Sequence, residues 1–257
     1  MKIFLSSLEN SKSTKSEGSV PIAELLVKQG VQMKWNLMSY YYIRKGGYDI
    51  AQYIRNNSKQ VLIDSGAHSF QKGVKVDWVK YTKEYAEFIK QYDRPNVIGY
   101  FEMDVDSIIG YDNVKKLRKI LTAVTNKIIP VWHKNRGIDD FKQMCKDYSG
   151  RIIGITGFKN EDIKDSQYLM FVKYAHEHNC KVHCLGMTRK QVLDKVPFDY
   201  TDSSSWSASA RYGRIGERKV TREMSKTRRG VVFVESYKHF MKMQEHYYRK
   251  WKKVCKD

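Results

Sequence analysis

Short apolar runs rich in Val, Ile and aromatic residues alternate along the chain with amphipathic stretches of roughly 8 to 20 residues, the rhythm of strands each followed by a helix. The candidate strands are 2–9, 32–39, 60–66, 96–104, 127–134, 151–157, 181–187 and 198–204. The clearest helical patterns are 77–92, 111–126, 138–148, 166–179 and 234–256. Eight such units in 257 residues predict an α/β fold of the (β/α)8 TIM barrel type. An open doubly wound sheet is the alternative, but it usually carries a Gly-rich phosphate loop after its first strand, and SSLENSKSTKSEGS is not one. No tandem repeat, low-complexity tract or Pro/Gly linker divides the chain, so 1–257 reads as a single domain.

Composition adds three constraints. An apolar content of 41% suffices for a full core. Cys145, Cys180, Cys184 and Cys255 are mostly far apart and follow no secretory segment, which favours free thiols in a reducing cytoplasm. The opening MKIFLSSLEN is only briefly apolar, and no segment approaches the ~20 apolar residues that span a bilayer, so a soluble protein without a membrane partner is expected.

Charge points to a polyanion. The formal net charge is +19, and although a Lys-rich proteome produces the same bias, placement is informative. Between 211 and 230 stand Arg211, Arg214, Arg218, Lys219, Arg222, Lys226, Arg228 and Arg229 against only Glu217 and Glu223. With almost no apolar periodicity this segment reads as a basic loop suited to phosphates. The last helix is basic too, with Tyr247, Tyr248 and Trp251 expected to pack inward.

In a barrel the chemistry gathers where strands end, and here those ends are acidic. The third strand ends on Asp64, the fourth on Glu102, Asp104 and Asp106, the fifth on His133 and the eighth on Asp202. Converging carboxylates suit a sugar carbon, one ionised group meeting the anomeric centre and a protonated one serving the leaving group. The competing reading is that each Asp caps the next helix. It is weaker at Asp64, because Ser65, Gly66 and Ala67 intervene and Gly66 permits a close backbone approach to a ligand.

At this point the sequence resembles a family. DSGAHSFQ (64–71) is similar to the DSGGFQ signature of tRNA-guanine transglycosylases, zinc-bearing (β/α)8 enzymes that exchange guanine for a 7-deazaguanine base in a nucleic acid. FEMDVD (101–106), IPVWHK (129–134) and IIGITGF (152–158) resemble further family segments in order, and HCLGMTRKQVLDKVPFDYTD (183–202) resembles the stretch leading to the nucleophile. The likeness covers roughly residues 60–205. It implies Asp202 as nucleophile at C1′ and Asp64 as proton shuttle, with a covalent glycosyl-enzyme between two displacements. It further implies that Asp104 binds the base, aided by Gly157, Phe158, Ser65 and Gly66. His133 stands where the family often has Gln, and is otherwise a ring packed beside Trp132.

The sequence also departs from that pattern. The family's CxCxxC zinc cluster is absent, so the zinc-binding subdomain reads as missing and no cofactor is expected. The nearest substitute, His178, Cys180, His183 and Cys184, reads rather as buried thiols and surface imidazoles, since alternation sends His183 and Cys184 to opposite faces. The reduced size and the basic segment are similar to the short, often phage-encoded paralogues that insert a preQ0-like 7-deazaguanine into DNA. The expected partners are therefore DNA and a 7-deazaguanine base; the base must leave its stack, for which Trp206, Tyr212 or Tyr111 would fill the gap, each otherwise an ordinary packing residue. Residue types alone do not separate DNA from tRNA, nor do they fix the oligomeric state. The alternatives are exchange on tRNA, a hydrolase using water, and a non-catalytic nucleic-acid-binding subunit.

Overall fold

Every expected strand forms, and one is broken. In a computed structural model describing residues 1–70, 75–156 and 163–255, the strands are β1 (Lys2–Ser6), β2 (Met33–Ser39), β3 (Ser58–Asp64), β4 (Val97–Phe101), β5 (Ile128–Ile129), β6 (Val131–Trp132), β7 (Ile152–Thr156), β8 (Lys181–Leu185) and β9 (Tyr200–Ser203). All pair in parallel, in the order β5-β4-β3-β2-β1-β9-β8-β7-β6. Because β5 and β6 are consecutive pieces of one segment, the two ends of that order meet at Pro130 and the sheet closes into the expected barrel.

Pro130 has no N–H to give the ladder. Side chains repair the gap. The Val131 N–H donates to Glu102 Oε1 at 2.7 Å, and Arg118 donates to both oxygens of the same carboxylate. Burial raises the Glu102 pKa, and the Arg118 guanidinium opposes that shift. Glu102 therefore joins two strands, where its position at a strand end suggested chemistry.

The helices lie outside. Trp78–Tyr92 begins at Asp77, whose carboxylate accepts from the Lys80 N–H at 2.9 Å, and buries Tyr81, Tyr85, Phe88, Ile89 and Tyr92 at three- and four-residue spacing. Tyr111–Thr122, Gly137–Asp147, Tyr168–Glu177 and Arg229–Trp251 follow the sequence pattern with shifted ends. No helix among the described residues is long and apolar enough to cross a membrane.

Strand residues alternate between two apolar environments. Phe4, Leu37, Leu62, Phe101, Ile129, Val131 and Tyr200 fill the barrel lumen, while their neighbours Ile3, Leu5, Val61, Ile63, Ile153 and Val182 pack under the helices.

The basic segment is not the loop its composition suggested. It contains a hairpin, Arg214–Ile215 with Arg218–Lys219, and a helix, Arg222–Thr227, capped by the Thr221 hydroxyl. Three isolated apolar residues, Ile215, Val220 and Met224, pin it to the core. Too few for a detectable period, they still suffice to fold it.

Candidate active site

The alternation that fills the lumen also builds the mouth. Two residues beyond Phe4, Leu37, Leu62 and Tyr200 on their strands come Ser6, Ser39, Asp64 and Asp202, so the last inward-facing position of each strand is polar. Register aligns them around the ring, Ser39 opposite Asp64 and Phe4 opposite Asp202. They open on a cavity of about 320 Å³, lined among others by Ser6, Glu9, Ser39, Asp64, Phe101 and Asp202. That volume lies within the roughly 300–1,000 Å³ of small-molecule sites. A larger cavity of about 570 Å³ lies at the opposite, N-terminal end of the strands, beside Lys2, Lys127 and Lys181, away from the acidic cluster.

Among the described residues, Asp64 makes a single hydrogen bond there. Its Oδ2 accepts from the Gly66 N–H at 2.9 Å. Burial pushes its pKa up to about 6; His68 and the Gly66 N–H pull it down, and Asp202 and Asp104 add repulsion. Near neutral pH it exchanges a proton readily.

Asp202 is held differently. Its Oδ1 accepts from the Gly186 N–H at 2.9 Å and lies 3.0 Å from His183 Nε2, whereas Oδ2 meets only the Ser6 hydroxyl at 3.3 Å. His183 is fully buried and its Nδ1 has no partner, which places the proton on Nε2, facing the carboxylate. One oxygen is anchored while the other looks into the cavity. None of the short helices after β3, β4 and β9 is capped by these acids; their cap residues are Gly66, Val105 and Ser204.

Asp104 is enclosed by imidazoles. His133 Nε2 lies 2.6 Å from Oδ1 and His68 Nε2 3.0 Å from Oδ2. Burial would raise the Asp104 carboxyl, but these two hydrogen bonds outweigh it and hold the group well below the usual carboxylate range. The same contact raises the His68 pKa. His133 thus has a specific partner beyond its packing neighbour Trp132. Asp106 lies 4.0 Å from His133 and 3.7 Å from Arg136, which stacks over Tyr111 at 4.0 Å.

Glu9 was not read as a site residue. It follows Ser7, whose φ of 75° turns the chain out of β1, and returns so that Oε1 accepts from the Ser39 N–H at 3.0 Å. Its Oε2 and the Ser39 hydroxyl have no partner. Burial pushes the Glu9 carboxyl up to about 7, against hydrogen bonds from the Ser39 and Glu9 N–H groups, with a contribution from Asp64.

The remaining expectations fare unevenly. Gly66 is required by the backbone itself: its φ is 76°, and a Cβ there would meet Tyr41 Cβ at 2.5 Å. Ser65 is buried, its carbonyl accepting from the Tyr81 hydroxyl, and is not among the cavity residues. Gly157 and Phe158 lie outside the described residues. Trp206 is buried, donating to the Ser6 carbonyl at 2.7 Å, whereas Tyr212 is largely exposed. Arg211, Arg214, Arg218, Lys219, Arg222, Lys226, Arg228 and Arg229 are all exposed, on a segment that one short helix, Ser205–Arg211, links to β9 and Asp202.

The Cys/His run does not converge. His183 faces the lumen, Cys184 packs under the helices, Cys180 points at the Cys145 carbonyl and His178 stacks on Tyr174. His183 is thus no surface imidazole, contrary to the sequence reading. Among the described residues, Asp104, Asp106 and His133 alone bring three ligand-type atoms within 4.8 Å of one another, and imidazole–carboxylate bonding accounts for much of that closeness.

No protein-family model matches the sequence, and no curated protein matches it. Among solved structures the chain is similar to one described as "QR15, an Aldolase", with a TM-score of 0.50 and 16% identity over 79% of this chain and 90% of that one. At that identity the likeness concerns the fold.

Proposed function

We propose that the protein is a guanine transglycosylase that exchanges guanine in DNA for a 7-deazaguanine base. The observation that carries this reading is the pairing of Asp64 and Asp202 on one cavity in unlike environments, one carboxyl lifted to about 6 by burial and the other anchored through a single oxygen. Carboxyls with separated roles are the mark of acid-assisted displacement at a sugar carbon.

Asp202 Oδ2 attacks C1′ of the target nucleotide. The C1′–N9 bond breaks, its electron pair leaves with the base, and the Asp64 proton passes to a ring nitrogen of the departing guanine. Asp64, now ionised, takes the N9 proton of the incoming 7-deazaguanine, which displaces Asp202 from C1′. Two displacements retain configuration, and no net proton is consumed. The exposed cations between Arg211 and Arg229 would hold the phosphates near the mouth.

The test is incorporation of labelled guanine and of a labelled 7-deazaguanine, run side by side on DNA and on tRNA. Incorporation into DNA is expected, together with a covalent DNA adduct that Asp202→Asn abolishes. Incorporation into tRNA alone overturns the substrate assignment. Net base release without an acceptor base indicates a hydrolase, and binding without either reaction a non-catalytic subunit.

A further inference from the structure

The buried end of the cavity holds polar atoms whose hydrogen-bonding capacity the protein itself leaves unused. Glu9 is only 6% exposed, yet its Oε2 has no hydrogen-bond partner. The Ser39 hydroxyl beside it is equally unpartnered, although the Ser39 N–H holds Glu9 Oε1 at 3.0 Å. Leaving a buried polar atom unmatched costs about 1–3 kcal/mol each, so paired exceptions on one cavity wall call for an occupant. Both residues line the same cavity as Asp64 and Asp202, and around the ring β1 and β2 lie between β9 and β3. A substrate that reaches both Asp202 and Asp64 therefore occupies the cavity that Glu9 and Ser39 also line.

We propose that Glu9 and Ser39 form the base-reading subsite of this cavity, Glu9 Oε2 accepting from the N1–H and 2-amino edge of a guanine-type ring while the Ser39 hydroxyl donates to its O6. The inference rests on the transglycosylase reading and specifies where that enzyme recognises its base. Asp104, the reader suggested by the sequence resemblance, has both oxygens engaged by His133 and His68, whereas Glu9 offers a free one. The position also explains why Glu9 Oε1 is fixed by a backbone N–H: one oxygen sets the orientation and the other does the reading. In its ionised form, which the N1–H and 2-amino donors of guanine stabilise, the Glu9 carboxylate accepts only and so prefers guanine to adenine, whose N1 is itself an acceptor.

The experiment is equilibrium dialysis of labelled guanine and labelled adenine against wild type and the Glu9→Gln, Ser39→Ala and Asp104→Asn variants, with thermal melting of each. Wild type should bind guanine in preference to adenine. Glu9→Gln, whose amide can donate to adenine N1, should weaken guanine binding about 10- to 100-fold and erase most of the preference. Ser39→Ala, which keeps the backbone bond to Glu9, should lose guanine affinity by a smaller factor. If Glu9→Gln retains wild-type affinity and preference while Asp104→Asn loses them, the base is read at Asp104 and the inference is wrong, with the transglycosylase reading intact. If wild type binds neither base, both fail.

Discussion

His183 and Asp202 stand on adjacent strands with Nε2 and Oδ1 3.0 Å apart, the imidazole fully buried between Phe4, Phe101 and Tyr200. The contact fixes which carboxylate oxygen faces the cavity. His183→Phe keeps the aromatic packing and removes the donor. Formation of the covalent adduct should slow by about 10- to 100-fold, the equivalent of one charge-assisted hydrogen bond, with little change in KM. Single-turnover adduct formation alongside a melting curve separates this from simple destabilisation.

The Asp64 carboxyl keeps its proton to about pH 6, and the first displacement needs that proton. Adduct formation should therefore decline as pH rises above about 6, by up to about tenfold per unit. Asp64→Asn should give a slow, flat profile. A wild-type rate that climbs between pH 6 and 8 would assign the proton donor elsewhere.

The same group makes stability depend on pH. An unfolded Asp ionises near ~3.9, while Asp64 in the fold holds its proton until about 6, so the folded state binds more protons between those values. Its contribution is greatest below pH ~4 and is lost as pH rises through about 6. Asp64→Asn should thus be more stable than wild type at pH 8 by about 1–3 kcal/mol, with the gap closing below pH 4. Chemical denaturation at both pH values measures it.

Gly66→Ala should destabilise by about 1–3 kcal/mol, because φ is 76° and the new Cβ would fall 2.5 Å from Tyr41 Cβ. A lowered Tm with an unchanged far-ultraviolet spectrum is the expected result. Gly216, also at positive φ, would instead place a Cβ against the far end of the His239 side chain, so Gly216→Ala provides a milder comparison.

Replacing Arg214, Arg218, Lys219 and Arg222 with Ala should weaken binding to DNA uniformly across sequences. For every phosphate deprived of its cation, the slope of log K against log salt should fall by about 0.9 on duplex. A slope unchanged in the fourfold variant would move the nucleic-acid surface elsewhere.

Much of the fold was legible because parallel strands announce themselves as apolar runs, and strand-end logic led to Asp64 and Asp202 without side-chain coordinates. Its limits have physical causes. In a parallel barrel both faces of a strand are buried, so alternation separated His183 from Cys184 but did not say which faced the lumen. Glu9 closes the first strand as the sequence pattern draws it, 2–9, but the strand stops at Ser6 and Ser7, a non-glycine residue in the left-handed region, turns the chain, so the return of the Glu9 carboxyl to Ser39 was not legible from alternation. Asp104 and Glu102 both looked like free acids, because their partners His68, His133 and Arg118 are contributed by other elements of the fold.

Pro130 gives the barrel wall a seam of a different material. Backbone bonds flank it, Glu102 N–H to the Ile129 carbonyl and Gly154 N–H to the Pro130 carbonyl, but between them the Val131 N–H depends on the carboxylate of Glu102 and, through it, on Arg118. The joint lies on the strand that delivers His133 to Asp104, so a side-chain ion pair shares with the backbone in aligning that side of the mouth.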